Sequence, residues 1–191
     1  MLASCSRRFS RYRALQPLRR SRRHRGGLLK RAAYALAALV LAIDQLTKWW
    51  IIEIVELESR ISVPLLSFFS LTWVENRGVS MGMLQADSEL GRWLLVALTA
   101  VIAIVVGFWI RRERQWPEAL ALALVLGGAI GNIIDRIRFG YVVDFVHLHI
   151  GQWSFYVFNV ADAAISVGVV ILLVRAVIGG SDTRDERMHD A

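Results

Sequence analysis

The chain has 191 residues, 55% hydrophobic and only 20% charged, with a mean hydropathy of +0.46, so it holds one domain or two very small ones and does not resemble a soluble globular enzyme. Its formal net charge of +7 suggests nucleic acid only until the charges are placed: residues 1–31 carry eleven Lys or Arg and no acid, leaving twelve basic and sixteen acidic residues in the remainder.

The basicity thus belongs to an N-terminal segment, 1–28, that reads as a disordered cytoplasmic tail held near anionic lipid heads. RNA binding is the weaker alternative, and no nucleic-acid partner is expected. The string LASC at 2–5 imitates a lipoprotein cleavage box, but no hydrophobic region precedes it, so the match is chance. Cys5 is the single cysteine, which excludes an intramolecular disulfide framework and a multi-cysteine metal site.

Four apolar runs follow, at about 32–52, 93–110, 119–134 and 160–178, each near the roughly 20 residues a helix needs to cross a bilayer. The third is short, and its GGxxG pattern (Gly127, Gly128, Gly131) predicts a packed interior helix whose backbone approaches its neighbours closely. Between runs one and two, residues 60–85 are rich in strand formers (Ile61, Val63, Phe68, Phe69, Leu71, Trp73, Val74) punctuated by Pro64 and Gly78, which predicts a small extracytoplasmic sheet. Residues 140–158 are similar in composition and leave strand and irregular loop unresolved. The fold class expected is therefore an α-helical integral membrane protein with four transmembrane helices and a small extracytoplasmic β-sheet: a membrane domain over 29–180 and a polar cytoplasmic tail over 181–191.

Orientation follows the basic residues. The N-terminal tail, the connection with Arg111, Arg112 and Arg114, and the C-terminal end with Arg175, Arg184 and Arg187 are assigned to the cytoplasm; the other two connections face outward. Trp49, Trp50, Trp93 and Trp153 then fall near the outer surface and Trp109 and Trp116 near the inner one.

That orientation places a polar set at one depth: Asp44 and Lys48, at i and i+4 near the outward end of span one; Asn132, Asp135 and Arg136 at the outward end of span three; Asp144 in the outer connection; Asn159 and Asp162 at the start of span four. Ionisable groups at membrane helix ends are costly unless paired or hydrated, so such a cluster is a functional hypothesis by default. Asp44 with Lys48 reads as an ion pair bracing a helix end, Asp135 beside Arg136 as scaffold rather than chemistry, and Asn76 with Gly78 in ENRG as a turn. Asp144 and Asp162 are different. They arrive from an extended stretch and a helix start, with no basic partner adjacent in sequence. Two carboxylates brought close share one proton over a wide pH range, an arrangement suited to peptide hydrolysis, in which the ionised member takes a proton from water and the protonated one donates to the scissile carbonyl.

Other outfits fit less well. Cys5 is remote from any histidine, no serine has a GxSxG setting, and there is no Walker or dinucleotide glycine motif. Asp144, His147 and His149 alternate as residues on one strand face do, but two interfacial histidines are more often not ligands, and no metal is expected.

Four blocks carry a resemblance. GGAIGNIIDRIRFGYVVDF (127–145) and FNVADAAI (158–165) resemble the two C-terminal signatures of the lipoprotein signal peptidase (signal peptidase II) family; DQLTKWW (44–50) and ENRGVSMG (75–82) resemble its two N-terminal ones, in family order over about 32–178. The resemblance implies a bacterial inner-membrane aspartic endopeptidase, with both termini cytoplasmic and the site at the outer interface. It removes signal peptides from prolipoproteins just before a diacylglyceryl-modified cysteine, with no cofactor. Carried over, it makes Asp144 and Asp162 the catalytic pair; Asn76, Asn132, Arg136 and Asn159 substrate-lining; and Asp44, Lys48, Gly78 and Asp135 supporting. The partners implied are the lipidated prolipoprotein and membrane lipid, with the enzyme itself a monomer. Met81 departs from a position commonly aromatic in the family, and residues 1–28 have no family counterpart. Two rival readings compete: a proton-coupled transporter, which predicts ionisable residues at several depths, and a noncatalytic scaffold, for which changing either aspartate would be silent.

Overall fold

The computed structural model describes residues 3–78, 89–150 and 153–189, with side chains described for 27–78, 89–150 and 153–178. In chain order the elements are α1 (Ala3–Glu53), α2 (Leu57–Arg60), β1 (Ser62–Leu66), β2 (Phe69–Asn76), α3 (Glu89–Arg112), α4 (Trp116–Arg138), β3 (Val142–Ile150), β4 (Trp153–Ser154) and α5 (Val160–His189). Four stretches are long and apolar enough to cross a membrane: Gly27–Glu53 of α1, Glu89–Arg112, Trp116–Arg138 and Val160–Ile178 of α5. The expected four-helix membrane frame with a small sheet is the fold observed.

The helical backbone of α1 also runs back to Ala3, through the segment where the charge run suggested disorder. Arg, Leu and Ala are good helix formers, and a high charge density argues against a packed core without preventing coiling. α5 likewise continues past the apolar run to His189. Met81, and part of the strand-rich segment 60–85, lie outside the described residues.

α4 is the interior helix predicted from its glycines. Of its apolar window 61% is buried, against 28%, 22% and 11% for the crossing stretches of α1, α3 and α5. A Cβ on Gly127 would stand 2.5 Å from the Ala37 carbonyl oxygen of α1, and one on Gly128 2.5 Å from the Ala161 carbonyl oxygen of α5. Adjacent glycines thus admit two different helices to two faces of α4, the small-residue packing that substitutes for a hydrophobic driving force in lipid. Around this contact Leu29, Ala33, Ala37, Ala103, Val106, Ile110, Ala119, Leu122, Ala123, Leu126 and Ala129 form the buried cluster of the bundle. Large side chains such as Leu98, Val101 and Phe108 of α3 and Val170 and Leu173 of α5 stay on the outer surface, as lipid-facing residues do.

The sheet has strand order β1-β2-β3-β4, antiparallel throughout. Its second core, Ile51, Leu57, Leu71, Val143 and Phe145, ties it to the end of α1 and to α2. The 140–158 segment is strand at β3 and β4. Composition left this open because Val142, Val143, Asp144 and Phe145 are all buried, so no period-two alternation is written in the sequence. β3 enters directly after α4 and, through the bridge Val146↔Phe158, leads to the start of α5. That connection sets the site.

Candidate active site

The start of α5 leaves backbone N–H groups without helical partners. Asn159, just before Val160, caps it: its Oδ1 accepts the Asp162 N–H at 2.9 Å. This bond orients the amide so that Nδ2 points at β3, where it donates to Asp144 Oδ1 at 2.6 Å. Asp144 lies opposite Val74 in the β2/β3 register, diagonal to Asn76, and Asn76 Nδ2 donates to Asp144 Oδ2 at 3.0 Å. The amide oxygen of Asn76, Oδ1, accepts the Gly78 N–H at 3.1 Å, and Gly78 has φ +118°, a left-handed value that favours glycine. The predicted ENRG turn is therefore real, and it aims Asn76 at Asp144.

Asp162, in the first turn of α5, is half-buried and receives Asn132 Nδ2 of α4 on Oδ1 at 2.8 Å. Asn132 Oδ1 in turn accepts Asn159 Nδ2 and Lys48 Nζ, each at 3.4 Å. Two carboxylates from different elements are thus joined through two amides, Asn159 and Asn132, with Asn76 a third donor on Asp144. Neither makes an ion pair among the described residues. Asp144 is fully buried; burial first, and the Asp162 charge second, push its carboxyl up to about 7 against the opposing pull of the Asn76 and Asn159 donors and the Lys48 charge. Arg136 donates through Nη1 to the Asn132 carbonyl at 3.3 Å, while its buried Nε has no hydrogen-bond partner among the described residues.

Beside this set lies a second. Lys48 Nζ stands 2.9 Å from Asp44 Oδ2 and 2.6 Å from Asp135 Oδ2, with all three side chains buried. Each predicted site residue is therefore in one network: Asp144, Asp162, Asn76, Asn132 and Asn159 around one carboxylate pair, Arg136 against its Asn132 edge, Asp44, Lys48 and Asp135 in the adjoining ion-paired set, and Gly78 behind Asn76. Gln45 was not singled out from sequence, yet its Nε2 reaches Asp135 Oδ1 at 3.0 Å, Asp44 Oδ2 at 3.2 Å and the Gly131 carbonyl at 3.4 Å. An uncharged amide inside an apolar run was the available signal. His147 turns away from the pair; its ring bonds Thr72, Ser70 and Ser154 at 3.2, 3.4 and 2.6 Å. Among the described residues no group of three potential metal ligands assembles.

Residues 36–178 match the family model for signal peptidase (SPase) II. The chain belongs to the signal peptidase II family. A lipoprotein signal peptidase of Rhizorhabdus wittichii is 56% identical over 146 residues, spanning 76% of this chain and 85% of the relative. One from Sphingopyxis alaskensis is 50% identical over 145 residues, spanning 75% and 84%. A solved bacterial membrane enzyme, determined by the in meso method at 2.3 Å, aligns with a TM-score of 0.68 at 27% identity, covering 79% of this chain and 90% of that one. The protein is accordingly an aspartic peptidase of the signal peptidase II kind and a multi-pass membrane protein.

Proposed function

We propose that this signal peptidase II removes signal peptides from prolipoproteins with Asp144 and Asp162 as its acid and base, cutting just before the diacylglyceryl-modified cysteine. The observation that carries the reading is the contrast in partners: these two carboxylates, from β3 and α5, accept side-chain amides and make no ion pair among the described residues, and burial holds the Asp144 carboxyl up at about 7. In the reaction the ionised carboxylate accepts a proton from water as the water oxygen attacks the scissile carbonyl carbon, and the other donates its proton to the carbonyl oxygen. On collapse of the tetrahedral intermediate the C–N bond breaks and the leaving nitrogen takes up a proton from the pair. Asn76, Asn132 and Asn159 keep the carboxylates oriented while that proton changes place. Arg136, with its spare buried N–H, is suited to donate to a substrate carbonyl beside them, since an orphan donor is costly until it finds an acceptor.

The site belongs at the outer interface, with both termini cytoplasmic. The basic clusters support this orientation, and so does the chemistry: acyl chains anchored in lipid bring the peptide bond to where water is available, and their binding energy orients it. The enzyme works as a monomer, and residues 1–28 and 181–191 lie outside the peptidase domain at 29–180. Reconstituted protein mixed with a diacylglyceryl-modified prolipoprotein should release the mature product, followed as a mass shift, and should leave the unlipidated precursor intact. Asp144→Asn or Asp162→Asn should each abolish the shift with the protein still in the membrane. Retained cleavage in either variant overturns the pair assignment. Deleting residues 2–27 should leave turnover unchanged in inserted protein.

A further inference from the structure

The ion-paired set touches the reacting pair through two backbone bonds with the same form. Asp44 Oδ1 of α1 accepts the N–H of Ala161 at 3.0 Å, and Ala161 immediately precedes Asp162. Asp135 Oδ2 of α4 accepts the N–H of Val143 at 3.3 Å, and Val143 immediately precedes Asp144. Between them stands one cation, Lys48 Nζ, at 2.9 Å from Asp44 and 2.6 Å from Asp135. Asp44 therefore supplies part of the N-terminal cap of α5 from another helix, and Asp135 does the equivalent for the entry of β3. We infer that Lys48 is a positioning residue, which fixes the spacing of Asp144 and Asp162 by clamping the two carboxylates that grip the residue before each.

A simple brace would have no need of this placement. Lys48 and Asp44, four residues apart on one helix, satisfy a pair by themselves; the third member and the two N–H bonds are what extend the contact to α5 and β3. Removing the cation leaves Asp44 and Asp135 facing each other as like charges, and separating them carries Ala161 and Val143 apart. The spacing of the reacting carboxylates sets how strongly each opposes the ionisation of the other. The charged groups facing the pair, among the described residues, are Lys48 and Asp44 from α1 and Asp135 and Arg136 from α4, with β2 presenting the neutral Asn76.

This inference rests on Asp144 and Asp162 being the acid and base, so both asparagine variants accompany the test. In full-length reconstituted enzyme, Lys48→Met is expected to lower kcat about 100-fold or more with KM within about twofold, and to draw the two limbs of the pH–rate profile toward each other. A folded Lys48→Met enzyme with the parent kcat and limbs overturns the inference. Should Lys48→Met fail to fold, Asp44 decides: Asp44→Asn keeps an oxygen for the Ala161 N–H and Asp44→Leu does not, so per folded molecule the asparagine variant should exceed the leucine variant in kcat by about tenfold or more. Equal rates overturn positioning. If Asp144→Asn or Asp162→Asn still cleaves, it is the pair assignment that fails; if both are inactive while Lys48→Met matches the parent, the pair stands and only the role of Lys48 falls.

Discussion

Four aspartates meet at the sheet end of the helix bundle, and they divide by the company they keep. Asp44 and Asp135 share an ammonium, a glutamine amide and one backbone N–H each. Asp144 and Asp162 have side-chain amides instead. Both sets are largely withdrawn from solvent, so depth alone does not separate scaffold from chemistry. A carboxylate held by a cation cannot be removed without stranding that buried charge, whereas one held by amides has no buried counter-charge to strand. Partner type, more than position, tells which carboxylates are free to act.

Substitution should pull the two sets apart most clearly. Asp144→Asn or Asp162→Asn is expected to reduce turnover by at least about 10³-fold, the scale of lost acid–base catalysis, while leaving the unfolding midpoint close to that of the parent. Asp135→Ala should do the reverse in kind: it leaves Lys48 and Asp44 with an incomplete partner set, at about 3–5 kcal/mol in stability, read as a lowered midpoint in thermal unfolding. If the asparagine variants unfolded early and the alanine variant did not, the division by partner would be wrong. Gly131→Ala probes the same boundary from the packing side. Its Cβ would stand 2.5 Å from Asp44 Oδ2, so α4 must shift or the carboxylate must move, an overpacking cost of about 1–3 kcal/mol.

Titration sharpens the contrast further. Asp144 has its folded pKa raised from 3.8 to about 7, so the folded chain holds this proton more tightly than the unfolded one does. The stability this group contributes is fully present below 3.8 and is lost as pH rises through about 7. The rate should fall over the same alkaline range, since the pair then loses its last proton; a pH–rate profile flat from 6 to about 8.5 would contradict a proton shared at this site. Asn76→Ala removes a donor that favours the ionised form, so the alkaline limb should move upward by about one unit.

Much of this was legible without coordinates, for reasons that differ from residue to residue. The four spans follow from hydropathy, and Gly127, Gly128 and Gly131 mark α4 as interior because only a missing side chain lets two backbones meet. That Asp44 and Lys48 pair followed from helical spacing. What spacing could not supply was the third member: Asp135 lies 87 residues beyond Lys48, and α4 brings it there only through tertiary packing. Gln45 offered only the signal of an amide in an apolar run, since its bonds to Asp135 and the Gly131 carbonyl depend on α4 packing beside it. β3 could not be told from loop because both its faces are covered where it matters, at Val142 to Phe145. The bonds to the backbone of Val143 and Ala161 have no sequence signature at all, since any non-proline residue offers that N–H.

The smallest expected effect lies at the other end of the bundle, and it tests whether charge pairing in itself matters to the site. Arg175 of α5 donates from Nε to Glu118 Oε1 at 2.7 Å and through Nη2 to Gln115 at 2.9 Å, tying the start of α4 to α5 far along the helix from Asp162. The Arg175 side chain is 39% exposed, so water competes for the pair and double substitution should alter stability by no more than about 1 kcal/mol. Arg175→Ala with Glu118→Ala should therefore leave kcat and both limbs of the pH profile unchanged. The ion pair at Lys48 and the one at Arg175 each link α4 to another helix, but only the first also grips the backbone beside Asp144 and Asp162. A large loss of rate from the Arg175 pair would mean that any tether of α5 to α4 supports catalysis, and the contrast between the two aspartate sets would then carry less weight than bundle rigidity.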